Sequence, residues 1–164
     1  MAILITAAAH SLAYRLEQIL NITDVFLGDQ NDLPAIPGKK FLRIPPASST
    51  SFSHEILSAC LDHNISEIYP LHRDEIIELS KSRQLFEEYG ISLIIASDEW
   101  LKNNSTISSF ITSNLAVLKD GVIKAGNLSV TAAFPGEKAS GVYTWIVLDN
   151  VMKYNLFVVE DVEV

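Results

Sequence analysis

What is scarce in this chain narrows it first. It has a single cysteine, Cys60, among 164 residues, so neither a disulfide framework nor a cysteine-based zinc cluster is expected. Cys60 falls in a helical pattern and reads as a buried, inert thiol. Basic residues are outnumbered: 12 Lys and Arg against 20 Asp and Glu give a net charge of -8. The cations are scattered and not striped along one face, which argues against a nucleic-acid surface. No apolar run reaches the ~20 residues of a membrane-spanning helix. The apolar stretch Ala2 to Ala9 lacks a basic flank and is short for a secretory signal. The expectation is a soluble protein of the reducing cytoplasm, with no nucleic-acid or membrane partner.

What is present is ordinary globular material, 48% apolar and 20% charged, enough for one domain and a small appendage. Ala2 to Thr6 is an apolar run of strand length, and Ser11 to Leu20 puts Leu12, Leu16, Ile19 and Leu20 on one helical face. Asp24 to Gly28 reads as a second strand with Asp29 at its end, where an open α/β sheet places ligand-contacting side chains. Phe41 to Ile44 is a short strand stopped by Pro45 and Pro46. The serines and threonine at 48 to 51 offer caps for a helix carrying Phe52, Ile56, Leu57, Cys60 and Leu61. Ile65 to Leu71 is a further strand, and Asp74 and Glu75 favour a helix start through the macrodipole. Gly90 stops a helix before Ile91 to Ala96, the clearest buried strand of the chain. Strands alternating with amphipathic helices imply parallel pairing, so residues 1–97 form an α/β domain of about five strands.

Residues 98–164 change character. Ser97, Asp98 and Glu99 open a turn of helix, and Ile107, Phe110 and Ile111 mark another. Leu115 to Leu118 and Val122 to Lys124 flank Asp120-Gly121, the strongest short-range hairpin signal. Tyr143 to Leu148 and Leu156 to Val159 continue the β pattern, giving a small β-rich lobe. Its valine-rich edges carry few charges and invite pairing with a second copy, so a homodimer is expected. Between two β runs lies Thr131 to Tyr143, whose Gly136 and Gly141 would let backbone amides approach an anion, or would simply turn a polar hairpin loop.

Four histidines, His10, His54, His63 and His72, show no metal-ligand spacing, so no metal site is expected. His54 and His63 read as solvated. His10 and His72 each follow a strand and can face a cleft above the sheet. There is no G-x-S-x-G elbow for a nucleophile. The loop Ala7-Ala8-Ala9-His10 holds no glycine to admit a pyrophosphate.

The run Ile68-Tyr69-Pro70-Leu71-His72-Arg73-Asp74-Glu75, then Leu85-Phe86-Glu87-Glu88-Tyr89-Gly90-Ile91, with the opening A-I-L-I-T, Asp29 and R-I-P-P, resembles the N-terminal Rossmann-like pre-ATP-grasp domain of ATP-grasp ligases of the carbamoyl-phosphate-synthase-like group. The resemblance covers residues 1 to about 97 and continues more faintly. Gly136, Gly141 and Val142 match the spacing of the family's phosphate loop, whose lysine, proline and serine fall on Ala132, Ala133 and Ala139. Glu160 stands where the family's adenine-binding strand ends. The resemblance therefore implies a truncated ATP-grasp lobe with a relic nucleotide loop at Gly136, Lys138, Ser140, Gly141 and Glu160.

Loss of that lysine removes charge stabilisation of a phosphoryl group, and the family's magnesium carboxylates would lie beyond the chain. Two readings stay open. One is a degenerate, non-catalytic ATP-grasp-like protein that binds a small molecule or a protein partner in a cleft at Thr6, His10, Asp29, His72, Asp74 and Glu75, with no catalytic residue, metal or cofactor. The alternative is part of a split or oligomeric ATP-dependent carboxylate–amine ligase, using ATP and magnesium with another chain.

Overall fold

A computed structural model describes residues 1–104, 114–128 and 138–159. The chain divides into two units, residues 1–93 joined by Val158 and Val159, and residues 94–157. The sequence places its boundary at 97/98.

In the first unit the order is β1 (Ala2–Ile5), α1 (Ser11–Leu20), β2 (Val25–Asp29), β3 (Lys40–Arg43), α2 (Phe52–Asp62), β4 (Ile65–Tyr69), α3 (Arg73–Lys81), α4 (Arg83–Glu88) and β5 (Ser92–Leu93). These strands make one parallel sheet in the order β3-β2-β1-β4-β5. The central strand β1 is buried at every position, as a parallel strand covered on both faces must be, which is why it is continuously apolar instead of alternating. Leu4 and Ile68 pack with Phe52 and Ile56 of α2 and with Leu79 and Phe86 beyond β4. The fold is thus α/β with a Rossmann-like parallel sheet, as the strand–helix alternation implies.

The strand expected over Ile91 to Ala96 pairs at only two positions, Glu67 with Ser92 and Ile68 with Leu93. Ile94, Ile95 and Ala96 are buried without joining a strand. A continuous apolar run reports burial and cannot by itself distinguish a ladder from buried irregular chain.

The second unit begins with α5 (Asp98–Asn103), whose first turn is capped by Ser97: its Oγ accepts the Trp100 N–H at 3.2 Å. Then β6 (Leu115–Lys119), β7 (Val122–Gly126), β8 (Gly141–Leu148) and β9 (Val151–Leu156) form an antiparallel sheet in the order β7-β6-β8-β9. Asp120 and Gly121 have φ of 50° and 79° and join Lys119 to Val122, the two-residue turn with two positive φ angles whose twist matches a hairpin.

Asp149 and Asn150, at 51° and 62°, repeat that turn between Leu148 and Val151. The last strand therefore starts at Val151, where the sequence suggests Leu156. Asp and Asn tolerate the left-handed region without the glycine that usually marks it. Gly126 is irreplaceable for a different reason. Its φ is +101°, and a Cβ there would stand 2.1 Å from the Leu115 carbonyl oxygen. Val122, Val147, Leu148 and Val151 are exposed.

Among the described residues no helix is long and apolar enough to cross a membrane. The helix expected around Ile107, Phe110 and Ile111, and the residues Gly136 and Glu160, lie outside the described residues.

Candidate functional site

In the first unit β1 and β4 are neighbours, yet the chain leaves β1 towards β2 on one side and β4 towards β5 on the other. Such a reversal opens a crevice beyond the carboxyl ends of the two strands, the usual ligand position in an open α/β sheet. Thr6 follows β1, Asp29 ends β2, and His10 and His72 stand at the N-caps of α1 and α3. Asp74 and Glu75 lie in the first turn of α3. The six cleft residues read from the sequence are therefore distributed around the ends of three adjacent strands.

The contacts among them are specific. The buried Thr6 hydroxyl donates to Glu75 Oε2 at 2.5 Å and accepts the Leu71 N–H at 2.8 Å, so one side chain stitches β1 to the start of α3. The His72 N–H also donates to the Glu75 carboxyl. That is half of a capping box: the third helical residue reaches back to the N-cap amide, while His72 itself makes no side-chain cap. The His10 and His72 rings meet edge to face, with centroids 5.9 Å apart. Asp29 accepts the Ala9 N–H through Oδ2 at 2.9 Å and the Asn31 N–H and Nδ2 through Oδ1 at 2.9 and 3.1 Å, so it pins the β1–α1 loop to the end of β2.

Glu75 is 6% exposed. Burial raises its pKa from an ordinary 4.5 to about 7. Its hydrogen bonds from Thr6 and His72 oppose the rise, and the nearby carboxylates Asp29 and Asp74 add to it. A cavity of about 150 Å³ opens beside Glu75, lined also by His72, Asp74, Gln30 and Ser48, with Pro46 and Ala47 as its apolar wall. Gln30 and Ser48 were not among the residues singled out from sequence. Ser48 sits in the serine–threonine run read as helix caps, and its place in the wall depends on the path of the β3–α2 loop.

The remaining candidates lie elsewhere. Lys138 adopts a φ of 52°. The Ser140 hydroxyl accepts the Asp120 N–H at 2.9 Å, the Ala139 carbonyl accepts the Gly121 N–H at 2.9 Å, and Gly141 opens β8. These described residues of the glycine stretch brace the β6–β7 turn. His54 is exposed, and the exposed His63 lays its ring 4.9 Å from that of Phe26. Cys60 is buried, and burial pushes its thiol up to about 12. Among the described residues no three His, Cys, Asp or Glu side chains group as metal ligands.

No family model and no curated protein matches the chain. Among solved structures it is similar to a GalE-like L-threonine dehydrogenase from Cupriavidus necator in its holo form and to a partial consensus L-threonine 3-dehydrogenase. Each is 17% identical over 52% of this chain and 34% of the other, with a TM-score of 0.40. The chain spans about a third of the length of those proteins, and no activity is carried over from them. These neighbours are dehydrogenases and not ATP-grasp ligases, so the expected ATP-grasp, carbamoyl-phosphate-synthase-like membership is corrected. The degenerate ATP-grasp-like binding protein and the split ligase fall with it. The residues that suggested them, a strand running into Leu71, an acidic helix start and an aspartate after β2, are what a parallel α/β sheet uses generally, and they are not specific to ligase chemistry.

Proposed function

We propose that the cavity beyond β1 and β4 is a site for a small polar molecule, with Glu75 as the group that gives or takes a proton there. The observation that supports this is a buried carboxyl at a cavity wall whose pKa burial brings to about 7. A carboxyl with ordinary solvation is almost wholly ionised at neutral pH; one near 7 exchanges its proton readily and suits general acid–base work. Thr6 is the positioning residue, since its hydroxyl fixes Oε2. His72, Asp74, Gln30 and Ser48 supply the polar wall.

The cavity is small beside the ~300–1,000 Å³ of pockets for drug-sized ligands, which favours a molecule of a few heavy atoms. The buried lone thiol of Cys60 supports the cytoplasm as the compartment. The exposed Val122, Val147, Leu148 and Val151 support a homodimer. Carboxyl-detected NMR of the full chain tests the central claim: Glu75 should titrate near 7, and Thr6→Val, which removes a hydrogen bond to the ionised carboxyl, should move it higher still. A Glu75 that titrates near 4.5 in the wild type would overturn the proposal.

A further inference from the structure

Beyond the carboxyl ends of a parallel sheet, a ligand phosphate is ordinarily held by backbone amides at the start of the following helices. Here the amides that lead into those helices are already engaged. Ala8 donates to the Gly28 carbonyl at 3.1 Å, and His10 donates to the Ala7 carbonyl at 2.9 Å. Between them Ala9 donates to Asp29 Oδ2 at 2.9 Å. Across the crevice, Leu71 donates to Thr6 Oγ1 at 2.8 Å and His72 to the Glu75 carboxyl. Two of these acceptors are carboxyl groups of the chain itself, and they satisfy the amides as a bound phosphate would.

We infer that Asp29 and Glu75 are built-in anions that close this crevice to phosphate and nucleotide ligands and leave the adjoining cavity to a small molecule carrying a cationic amine. The inference rests on the cavity being the ligand site proposed above and names the class of molecule it takes. Size and charge agree with it. The cavity of about 150 Å³ is walled by Asp74 and Glu75, and Asp29 lies near enough to Glu75 to influence its ionisation. An entering anion would meet the exposed Asp74 at the rim and the buried Glu75 and Asp29 in a medium where charges interact several-fold more strongly than in water. An ammonium group would find them attractive, with Ser48 and Gln30 as further acceptors on the wall.

His72 lines the same cavity, and His10 reaches its ring. Deprotonation of Glu75 strengthens amine binding as pH rises.

Amide NMR of the full chain, with ethylamine and ethanolamine as cationic probes and inorganic phosphate and ATP as anionic ones, tests this. The amines should shift resonances at 30, 47, 48 and 72–75, and phosphate and ATP should leave those and 8–10 in place. With Glu75 at about 7, amine affinity should rise about tenfold between pH 6 and pH 8, and Glu75→Gln should abolish most of that rise. Phosphate or ATP shifting the Ala8, Ala9 or His10 amides overturns the charge filter. So does failure of the amines to shift the cavity while Glu75 still titrates near 7, and that result leaves the proton site standing. A wild-type Glu75 that titrates near 4.5 overturns the underlying site as well.

Discussion

The two units of this chain solve the same problem, closing a sheet, by opposite means. In residues 94–157 each described hairpin is set by two adjacent residues: Asp120-Gly121 and Asp149-Asn150 take the positive φ angles that a tight antiparallel turn needs. In residues 1–93 neighbouring parallel strands are joined by long crossovers, and the ties at the strand ends come from side chains far apart in sequence. Thr6 reaches Glu75 across 69 residues, and Asp29 reaches back 20 residues to Ala9. The turn residues Asp120, Asp149 and Asn150 of the antiparallel unit are exposed. The parallel unit concentrates buried polar groups at one end of its sheet, and that is where chemistry can be done.

Both tryptophans, Trp100 and Trp145, lie in residues 94–157, so their emission follows the antiparallel unit alone. The largest expected effect on it is Gly126→Ala. A left-handed φ costs an L-residue roughly 1–2 kcal/mol, and overpacking against a rigid neighbour costs about 1–3 more. A Cβ 2.1 Å from the Leu115 carbonyl incurs both. Urea unfolding followed by tryptophan emission should show a loss on the order of 2–5 kcal/mol. Hydrogen exchange of the β1 amides, which reads the parallel unit, should change far less. A loss below ~1 kcal/mol would mean that β6 and β7 part easily at this point. An equal loss in β1 would break the contrast between the units, because both would then unfold as one.

The next effect belongs to the parallel unit and comes from Glu75. Its folded pKa of about 7 stands above an ordinary 4.5, so between those values the native state holds more protons than the unfolded chain. Stability is therefore greatest below about 4.5 and falls as pH rises through the folded pKa, by at most about 3 kcal/mol. Glu75→Gln keeps an acceptor for Thr6 and His72 without the buried charge. β1 exchange protection in the variant should match the wild type near pH 4.5 and exceed it at pH 8. Tryptophan emission should be indifferent to the change. Identical pH profiles for the two proteins would remove Glu75 as the buried charge that distinguishes this unit.

Much of this was legible in the sequence, and the boundary of legibility is physical. The place of Asp29 at the end of β2 and of His10 and His72 between strand and helix follows from periodicity, and of the six residues named from sequence His72, Asp74 and Glu75 line the cavity. Glu75 looks from sequence like a helix-dipole residue, because nothing local says that a threonine 69 residues away will bury it. Gln30 and Ser48 are hidden for a related reason: they wall the cavity only once the loops flanking β3 have folded. The ATP-grasp expectation failed differently. Glycine spacing and a strand-to-acidic-helix junction are backbone solutions shared by many α/β chains, and the groups that would have made them specific were alanines already.

The smallest expected effect probes the second hairpin, which the sequence conceals because its turn has no glycine. Asn150 holds a φ of 62°, a position where asparagine is tolerated but glycine is unstrained. Asn150→Gly relieves that strain and at the same time loosens the unfolded chain, and the two terms oppose each other at roughly 0.4–1 kcal/mol each. The preference of such turns for Asp-Gly over Asp-Asn tips the balance towards a gain of a few tenths of a kcal/mol, read as a higher urea midpoint with an unchanged slope in Trp145 emission. A clear loss would mean that the asparagine side chain, and not the left-handed backbone, holds β8 to β9. The antiparallel unit would then rest on a further side-chain tie, beside those of Ser140 to the Asp120 amide and Asn127 to the Leu115 amide.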